Sequence, residues 1–284
     1  MILLRKLIEN ATKQLATTDI SSPRINAELL AAHAASVERW KLIRLHKLGY
    51  LFYEFYLELI NARTQKIPLQ YLIGTAPFGQ LSLLVGPSVF IPRPETESIL
   101  AWIQLQKFLE TPIIIDLCSG SGALALALSK SKLDAFILAV ENSFNAIDYA
   151  KRNIANSKVE IIVADVTIFE LMPELDEQVN LLVSNPPYLP EKVILNNEEV
   201  KYDPPDALFG GFNGTKIIDS IIVLAERWLA KSGVLVVEYD EKFSQILFDS
   251  IRNNENFFKV KIHFDLNKRA RFITAVRTGK NNFL

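Results

Sequence analysis

Cysteine and histidine are scarce in this chain. Cys118 is the single cysteine among 284 residues. One cysteine excludes an intramolecular disulfide framework and a zinc site built of cysteines alone. It favours a reducing compartment, and we predict a cytoplasmic protein. The three histidines, His33, His46 and His263, lie far apart with no metal-ligand spacing. We therefore expect no metal site.

Long hydrophobic runs are also missing. No segment reaches the roughly 18 consecutive apolar residues that a membrane-spanning helix requires. The beginning, Met1 to Asn10, carries Arg5, Lys6 and Glu9 among apolar residues. This pattern predicts a short amphipathic helix rather than a signal peptide. We expect no membrane partner.

An excess of charge of either sign is absent as well. The chain has 31 Lys and Arg against 32 Asp and Glu, with 49% hydrophobic residues. These values exclude a disordered chain and a polybasic nucleic-acid binder. Residues 1–80 hold ten basic and six acidic residues (+4), which leaves 21 and 26 (−5) for the remainder. The positive part is either a solvated helical surface or a docking surface for an RNA-bound or acidic partner.

The length predicts about two domains at roughly 150 residues per domain. Helical patterns fill the first 75 residues, with Ser22 and Pro23 as a helix start and Leu51–Arg63 as a later helix. Prolines and glycines then punctuate residues 77–95. Two short apolar runs there, Leu81–Val85 and Ser88–Ile91, predict a linking β-hairpin.

From Thr111 onward, apolar strand patterns alternate with helices. The predicted strands are Ile113–Leu117, Ala135–Val140, Val159–Val163, Val179–Ser184 and Val234–Val237, and the predicted helices include Ala123–Ser129, Ala146–Asn156 and Lys216–Ala230. This alternation predicts an α/β fold with a doubly wound, mostly parallel sheet. The last two runs, Phe257–Phe264 and Arg271–Val276, lack a helix between them. We expect them to form an antiparallel hairpin at one sheet edge.

A glycine-rich turn follows the first of these strands and begins at Asp116. Gly120 and Gly122, with small residues around them, let the backbone approach a ligand closely. Glu141 ends the second strand, where its carboxylate can accept hydrogen bonds from ribose hydroxyls. The pattern predicts a site for an adenosine-containing ligand. It also satisfies the dinucleotide fingerprint through Ala125, so an NAD-dependent oxidoreductase remains an alternative.

Asp165 follows the third strand. It could accept a hydrogen bond from an adenine amino group, or it could cap a turn. The residues alone leave both interpretations open.

The fourth strand ends in Asn185-Pro186-Pro187-Tyr188. In an open parallel sheet the carboxyl ends of the strands form the ligand crevice, so this motif is expected beside the glycine turn. The Asn185 side-chain oxygen and the Pro186 carbonyl are two acceptors suited to one planar amino group. Tyr188 offers an aromatic wall. We interpret Asn185, Pro186 and Tyr188 as catalytic, and all four residues as binding the substrate.

With this motif after such a sheet, the sequence resembles S-adenosylmethionine-dependent methyltransferases that modify amide or amino nitrogens. Within them it is similar to the HemK/PrmC family of release factor glutamine methyltransferases. The matching segments, in order and spacing, are Pro68–Gly74, Phe90–Glu97, Asp116–Gly122, Asn185–Tyr188 and Ala207–Gly214.

This resemblance implies a class I, Rossmann-like methyltransferase domain (98–284) with a seven-stranded, mostly parallel sheet. A helical substrate-recognition domain (1–75) and a linking β-hairpin (76–97) precede it. It further implies methyl transfer from S-adenosyl-L-methionine to the glutamine amide of the Gly-Gly-Gln motif in class-1 release factors, which modulates translation termination. We expect a monomer that reads no nucleic acid sequence directly.

The cofactor site that follows from the residues and the resemblance comprises Asp116, Cys118, Ser119, Gly120, Ser121, Gly122, Glu141, Asp165, Val166 and Asn185. The Ile91–Thr96 loop is expected to form part of the pocket wall. Three positions depart from the family pattern. Cys118 replaces a common glycine and Glu141 a commoner aspartate, while Tyr202-Asp-Pro-Pro replaces Tyr-Glu-Pro. The Arg-Ala-Arg271 segment is also less typical.

Three other functions are compatible with parts of the sequence. A DNA or RNA adenine-amino methyltransferase uses similar motifs, but the catalytic region is net −5 and has no basic run. An NAD enzyme leaves Asn185–Tyr188 without a role. A non-enzymatic binding module would bind the cofactor without turnover. Cys118 as a catalytic thiol has no histidine near it in sequence.

Overall fold

A computed structural model describes residues 3–45, 49–108, 110–131, 134–195 and 198–278. His46 lies outside these ranges. The chain divides into two compact units. Unit 1 consists of Met1–Thr75, Val85–Pro87 and Leu195–Tyr202, and unit 2 of Ala76–Leu84, Ser88–Ile194 and Asp203–Leu284.

Unit 1 is helical, as its sequence predicts. Its elements are α1 (Leu4–Ala16), α2 (Pro23–Ala34), α3 (Tyr50–Thr64) and α4 (Leu69–Ile73), with 3₁₀ turns at Arg39–Arg44 and Glu198–Tyr202. In α1, Leu4, Leu7, Ile8, Ala11 and Leu15 are buried at helical spacing. The predicted amphipathic helix is therefore present, although Met1 and Ile2 lie outside the described residues.

The start of α2 differs from the predicted cap. Ser22 occupies the N-cap position, but it has a left-handed backbone (φ +54°) and its side chain makes no capping bond. Asn26 Nδ2 donates to the carbonyls of Ser21 and Ser22, which holds the residues that precede the helix. The helix starts where expected, but without the predicted side-chain cap.

Arg63 of α3 is the buried cation of unit 1, with 2% of its surface exposed. It donates to Asn26 Oδ1 (2.8 Å), to the Ile67 carbonyl (2.9 Å) and to Glu199 Oε1 (2.6 Å). The Tyr202 hydroxyl also donates to the Gln65 carbonyl at 2.7 Å. These bonds attach the Glu198–Tyr202 turn to the helices of unit 1, although it follows the fourth sheet strand in the chain.

The linking hairpin pairs other residues than predicted. Its strands are β1 (Thr75–Phe78) and β2 (Leu81–Leu84), joined at Gly79. The predicted strand Ser88–Ile91 is wrong. Ser88 begins with φ +73° and Pro92 lacks a backbone donor, so this run cannot continue a ladder; Val89 and Ile91 are buried as coil.

Unit 2 then alternates strands and helices. After a 3₁₀ turn at Pro94–Thr96, its elements are α5 (Glu97–Gln104), β3 (Ile113–Leu117), α6 (Ala123–Ser129), β4 (Phe136–Glu141), α7 (Phe144–Ile154), β5 (Val159–Val163), β6 (Val179–Ser184), α8 (Pro205–Leu208), α9 (Lys216–Trp228), β7 (Leu229–Glu238), α10 (Ser244–Arg252), β8 (Phe257–Phe264) and β9 (Ala270–Arg277). Two further 3₁₀ turns lie at Pro173–Leu175 and Glu241–Phe243.

The seven strands of the large sheet lie in the order β5-β4-β3-β6-β7-β9-β8. The first five are parallel, and β9 is antiparallel to both β7 and β8. The predicted fold class and the antiparallel C-terminal hairpin are confirmed. The strand order reverses between β3 and β6, and this switch point is where open α/β sheets bind ligands.

Both faces of the sheet are covered, which explains its continuous apolar strands. Ile114 packs into a core cluster with α5 and α6, while Ile115 packs into a second cluster with α9 and α10. The predicted helix Lys216–Ala230 is two residues too long. Leu229 pairs with Val179 and opens β7, because the sheet register prevails over helical propensity there.

No helix among the described residues is long and apolar enough to cross a membrane.

Candidate active site

Four strand ends lie level at the switch point. Leu117 of β3 pairs with Val140 of β4 and with Ser184 of β6, and Ser184 pairs with Val237 of β7. The residues that follow these positions therefore lie side by side at the carboxyl edge. They are, in order across the sheet, Glu141, Cys118, Asn185 and Glu238.

The glycine turn has the left-handed backbone that its sequence predicts. Cys118, Gly120 and Gly122 have φ values of +57°, +56° and +79°. A Cβ added to Gly120 would meet no atom within 4 Å, whereas one at Gly122 would lie 3.3 Å from Ile154 Cγ2. Gly122 thus serves helix packing, and Gly120 leaves open space in front of the turn.

Asp116 supports this turn from the protein interior. It is 1% exposed, and its Oδ2 accepts from Ser119 Oγ (2.7 Å) and from the Ala125 amide (3.1 Å). Burial raises the pKa of Asp116 to about 7, against the opposing effect of these two hydrogen bonds. Its contact with the cofactor stays a prediction.

Glu141 bonds to the turn from the neighbouring strand. Its Oε2 accepts from the Gly120 amide (2.8 Å), and its Oε1 accepts from the amides of Asn142 and Ser143 (2.9 Å each). The carboxylate thus has three backbone donors and remains 9% exposed. The lone pairs it has left are the ones that ribose hydroxyls would use.

Asp165 caps a turn beyond β5. Its Oδ1 accepts from both the amide and the hydroxyl of Thr167, each at 2.8 Å. No described residue donates to its Oδ2, so the turn and an adenine contact are compatible. The adjacent Val166 is 7% exposed and belongs to the core cluster of β3 and β4. The adenine contact stays a prediction.

The Asn185 side chain has a defined partner. Its Nδ2 donates to Thr96 Oγ1 at 3.1 Å. No described residue donates to its Oδ1, which is left as an acceptor. Pro186 and Pro187 are buried, and Tyr188 is partly buried with its pKa raised by burial. The tyrosine is therefore a neutral ring at neutral pH.

The segment after α8 fixes the backbone of this motif. The Leu189 amide donates to the Leu208 carbonyl (2.8 Å), and the Gly210 amide donates to the Leu189 carbonyl (2.9 Å). A Cβ at Gly210 would lie 2.5 Å from the Pro187 carbonyl oxygen, and one at Gly214 would lie 2.4 Å from that of Tyr188. Both glycines are needed for this close approach.

Two site residues were missed by the sequence reasoning. Thr96 was included only in a wall loop, yet it contacts Asn185 directly. The signal that points to Glu238 is the one that points to Glu141, an acidic residue at the end of an apolar strand run. Glu238 is 1% exposed, and its Oε2 has no hydrogen-bond partner among the described residues.

Within the described ranges, no group of three or more His, Cys, Asp and Glu residues could hold a metal ion. Burial raises the pKa of the Cys118 thiol, and Glu141 and Asp116 raise it further. A neutral thiol is a poor nucleophile. Cys118 instead lies at the turn as a small, partly exposed side chain.

The switch-point turn, the acidic residue on the next strand and the Asn-Pro-Pro-Tyr motif together define a class I S-adenosylmethionine-dependent methyltransferase. The donor set fits this cofactor: there is open space at Gly120 for close approach and a carboxylate at Glu141 for a ribose. The family model for the methyltransferase small domain matches residues 97–198, and the PrmC N-terminal domain matches residues 6–74.

Curated relatives agree over nearly the full length. The release factor glutamine methyltransferase of Mycolicibacterium smegmatis is 46% identical over 281 residues, covering 99% of this chain and 100% of the relative. Those of Mycobacterium leprae (45%, 98% of each chain) and Streptomyces coelicolor (39%, 97% and 98%) are also similar. The chain belongs to the HemK/PrmC family of release factor glutamine methyltransferases. It is a methyltransferase with S-adenosylmethionine as cofactor, which removes the NAD alternative.

Proposed function

We propose that this enzyme transfers a methyl group from S-adenosyl-L-methionine to the side-chain amide of the glutamine in the Gly-Gly-Gln motif of class-1 release factors, thereby modulating translation termination. The observation that carries the proposal is the fixed amide of Asn185. Because its Nδ2 donates to Thr96, its Oδ1 remains as an acceptor beside the glycine turn. The names of the relatives support the substrate.

The proposed substrate site uses two acceptors on one donor group. Asn185 Oδ1 and the Pro186 carbonyl would accept the two hydrogens of the glutamine –NH₂, and Tyr188 would pack against the planar amide. Hydrogen bonds to both hydrogens would orient the nitrogen lone pair toward the proposed cofactor site. They would also oppose amide resonance, which makes the nitrogen more nucleophilic.

The proposed cofactor site is the adjacent turn. Cys118 to Gly122 would contact the cofactor through backbone groups, Glu141 would accept from its ribose, and Asp165 and Val166 would contact its adenine. When bound, S-adenosylmethionine supplies an electrophilic methyl group on a sulfonium centre. The amide nitrogen loses a proton once it bears a fourth bond, so these residues need to supply little acid–base catalysis.

Unit 1 is proposed to recognise the release factor. Residues 1–80, which contain its four helices, carry a formal charge of +4, and unit 1 exposes large apolar side chains. Ile43 and Leu51 are more than four-fifths exposed, and Trp40 and Tyr50 more than half. Apolar groups beside cations suit a protein partner that itself binds RNA. A monomeric state, a cytoplasmic location and the absence of direct nucleic-acid reading stay predictions.

The test is methylation of a purified release factor with duplex DNA offered in parallel. We expect mass spectrometry to find a gain of one CH₂ on the Gly-Gly-Gln glutamine and none when that glutamine is replaced by asparagine. Incorporation into DNA alone would identify an adenine-amino methyltransferase instead. Cofactor binding with no methylation of any release factor would indicate a binding module.

The Asn185→Ala variant then assigns the site. We expect it to lose at least about a hundredfold in kcat, while its Kd for S-adenosylhomocysteine changes less than about threefold. Equal losses in both quantities would contradict the role of Asn185 as the amide acceptor.

A further inference from the structure

Glu238 is a buried carboxyl that the proposed chemistry does not use. It ends β7 directly beside the end of β6, because Ser184 pairs with Val237 and the next residues are Asn185 and Glu238. Only 1% of its surface is exposed, and its Oε2 has no hydrogen-bond partner in the part of the chain that the structure describes. A buried, incompletely bonded carboxyl costs stability, so its presence beside a reaction site calls for a function.

Thr96 connects this carboxyl to the substrate motif. It is 3% exposed, and its Oγ1 accepts from Asn185 Nδ2. Its hydroxyl proton is left to donate, and Thr96 lowers the pKa of the neighbouring Glu238 carboxyl. A hydrogen bond from the Thr96 hydroxyl to Glu238 would complete a chain that leads from the buried carboxyl to the amide at the crevice.

The direction of this chain follows from counting protons. A threonine hydroxyl has one proton, and an ionised carboxylate only accepts. If Thr96 donates to Glu238, it has no proton left for Asn185 and can only accept from Nδ2. The asparagine oxygen must then point away from Thr96, toward the crevice. We propose that Thr96 and Glu238 are positioning residues that hold the Asn185 amide with its oxygen toward the substrate –NH₂, an inference that rests on the proposed function of Asn185.

Protonation of Glu238 would remove this constraint. A neutral carboxyl can donate to Thr96, whose own proton then becomes free for Asn185 Oδ1. The amide can flip, and its –NH₂ would face the substrate –NH₂, which it cannot bind. Methyl transfer should therefore decline as Glu238 gains its proton.

The surroundings of Glu238 set the pH of this change. Burial raises the pKa of Glu238 to about 7; Thr96, Arg271 and Arg93 oppose the rise, and Glu95 adds to it. Tyr188 also faces the carboxyl. Burial raises the pKa of Tyr188, and the charge of Glu238 raises it further, so the phenol stays neutral. Asp265 neutralises part of the Arg271 charge through an ion pair at 3.1 Å.

The first experiment needs no substrate. In protein labelled with ¹⁵N-asparagine, the Asn185 side-chain –NH₂ signals, assigned by their loss in Asn185→Ala, should shift with pH along a single titration near pH 7. We expect that titration to vanish in Glu238→Gln and in Thr96→Val, which is nearly isosteric, and to persist in Thr96→Ser. Thr274→Val is the matched control, because it removes an equally buried hydroxyl (4% exposed) that bonds to His263 instead. Persistence of the titration in Glu238→Gln would overturn the proposal.

The second experiment measures methyl transfer to the release factor. We expect Glu238→Gln and Thr96→Val to lower kcat by about tenfold or more at pH 8 with little change in the Kd of S-adenosylhomocysteine, and Thr96→Ser to restore most of the rate. The acid limb of the wild-type kcat profile should disappear in Glu238→Gln. An unchanged profile would contradict positioning by Glu238. If the wild type itself transfers no methyl group, the proposed function fails, while the NMR titration still decides the positioning of Asn185.

Discussion

The backbone amide of Gly120 donates to Glu141 Oε2 at 2.8 Å, so the turn after β3 is closed by a side chain from the end of β4. The other carboxylate oxygen accepts two amides of its own strand exit. Glu141 thus sets the conformation of the turn before any ribose binds to it. If Glu141 also binds the ribose, as we propose, turn shape and cofactor affinity are coupled through one carboxylate.

The Glu141→Gln variant tests this coupling. Glutamine has one acceptor oxygen where glutamate has two, so at least one of the three backbone amides loses its partner. We expect stability to fall by about 1–2 kcal/mol and S-adenosylhomocysteine to bind at least tenfold more weakly. Urea unfolding and titration calorimetry measure the two effects. Glu160→Gln, at an exposed position of β5, should change neither, and an unchanged affinity in Glu141→Gln would remove this residue from the ribose site.

The Gly120→Ala variant separates the cost of backbone strain from steric blocking of the proposed cofactor site. Gly120 and Gly74 both have positive φ (+56° and +82°), and a Cβ at either would meet nothing within 4 Å. Each alanine should therefore cost a similar ~1–2 kcal/mol of backbone strain. Only the methyl group at Gly120 enters the open space of the turn, so only that variant should lose cofactor affinity, by tenfold or more. Equal affinities in calorimetry would place the cofactor elsewhere.

Most of the sheet could be predicted from the sequence because its strands are buried on both faces. Ile113–Leu117 is buried beyond its first residue, and its ends match the structure. The ends of the edge strand Val159–Val163 match as well, although Glu160 within it is exposed. Ser88–Ile91 was predicted as a strand on the same grounds, but its buried residues Val89 and Ile91 lie in coil. An apolar run predicts that a segment is buried, but it does not decide whether that segment pairs with a neighbouring strand.

The site was predicted where local sequence determines the chemistry. Gly120 and Gly122 adopt positive φ because glycine has no Cβ to clash there. The Asn185 side-chain oxygen and the Pro186 carbonyl are hydrogen-bond acceptors in any fold. Thr96 acts on Asn185 from 89 residues away. Sheet register and the packing of a distant turn bring such residues together, and neither is encoded near the motif.

Cys118 is a strained residue at the turn, with φ +57°. Comparing Cys118→Gly with Cys118→Ala cancels the loss of the thiol, since both variants remove it. Alanine keeps the Cβ that a left-handed backbone disfavours, so we expect the glycine variant to be more stable by about 1 kcal/mol in urea unfolding. At Ser129, within α6, the order should reverse, with alanine more stable than glycine by about 1 kcal/mol. Equal stability of the two Cys118 variants would show that the turn relaxes without cost.

The stability of the protein should also depend on Glu238 and pH. The pKa of this carboxyl is about 7 in the folded protein and 4.5 as a reference value. Below the reference pKa, Glu238 is protonated in both the folded and the unfolded protein, and its contribution to stability is fully present. Between about pH 4.5 and 7 the unfolded chain releases a proton that the folded protein retains, so stability falls as pH rises. Asp116, whose pKa is also raised to about 7, adds a slope of the same sign.

Comparing wild type with Glu238→Gln isolates the contribution of one carboxyl, because Asp116 is present in both proteins. From about pH 5 to pH 8, the wild type should lose on the order of 3 kcal/mol more than the variant in urea unfolding. The variant should therefore be relatively more stable at pH 8, where it is expected to be the slower enzyme. Parallel stability curves for the two proteins would mean that Glu238 ionises at its ordinary pKa. If both predictions hold, ionised Glu238 lowers the stability of the protein and at the same time orients the Asn185 amide toward the substrate.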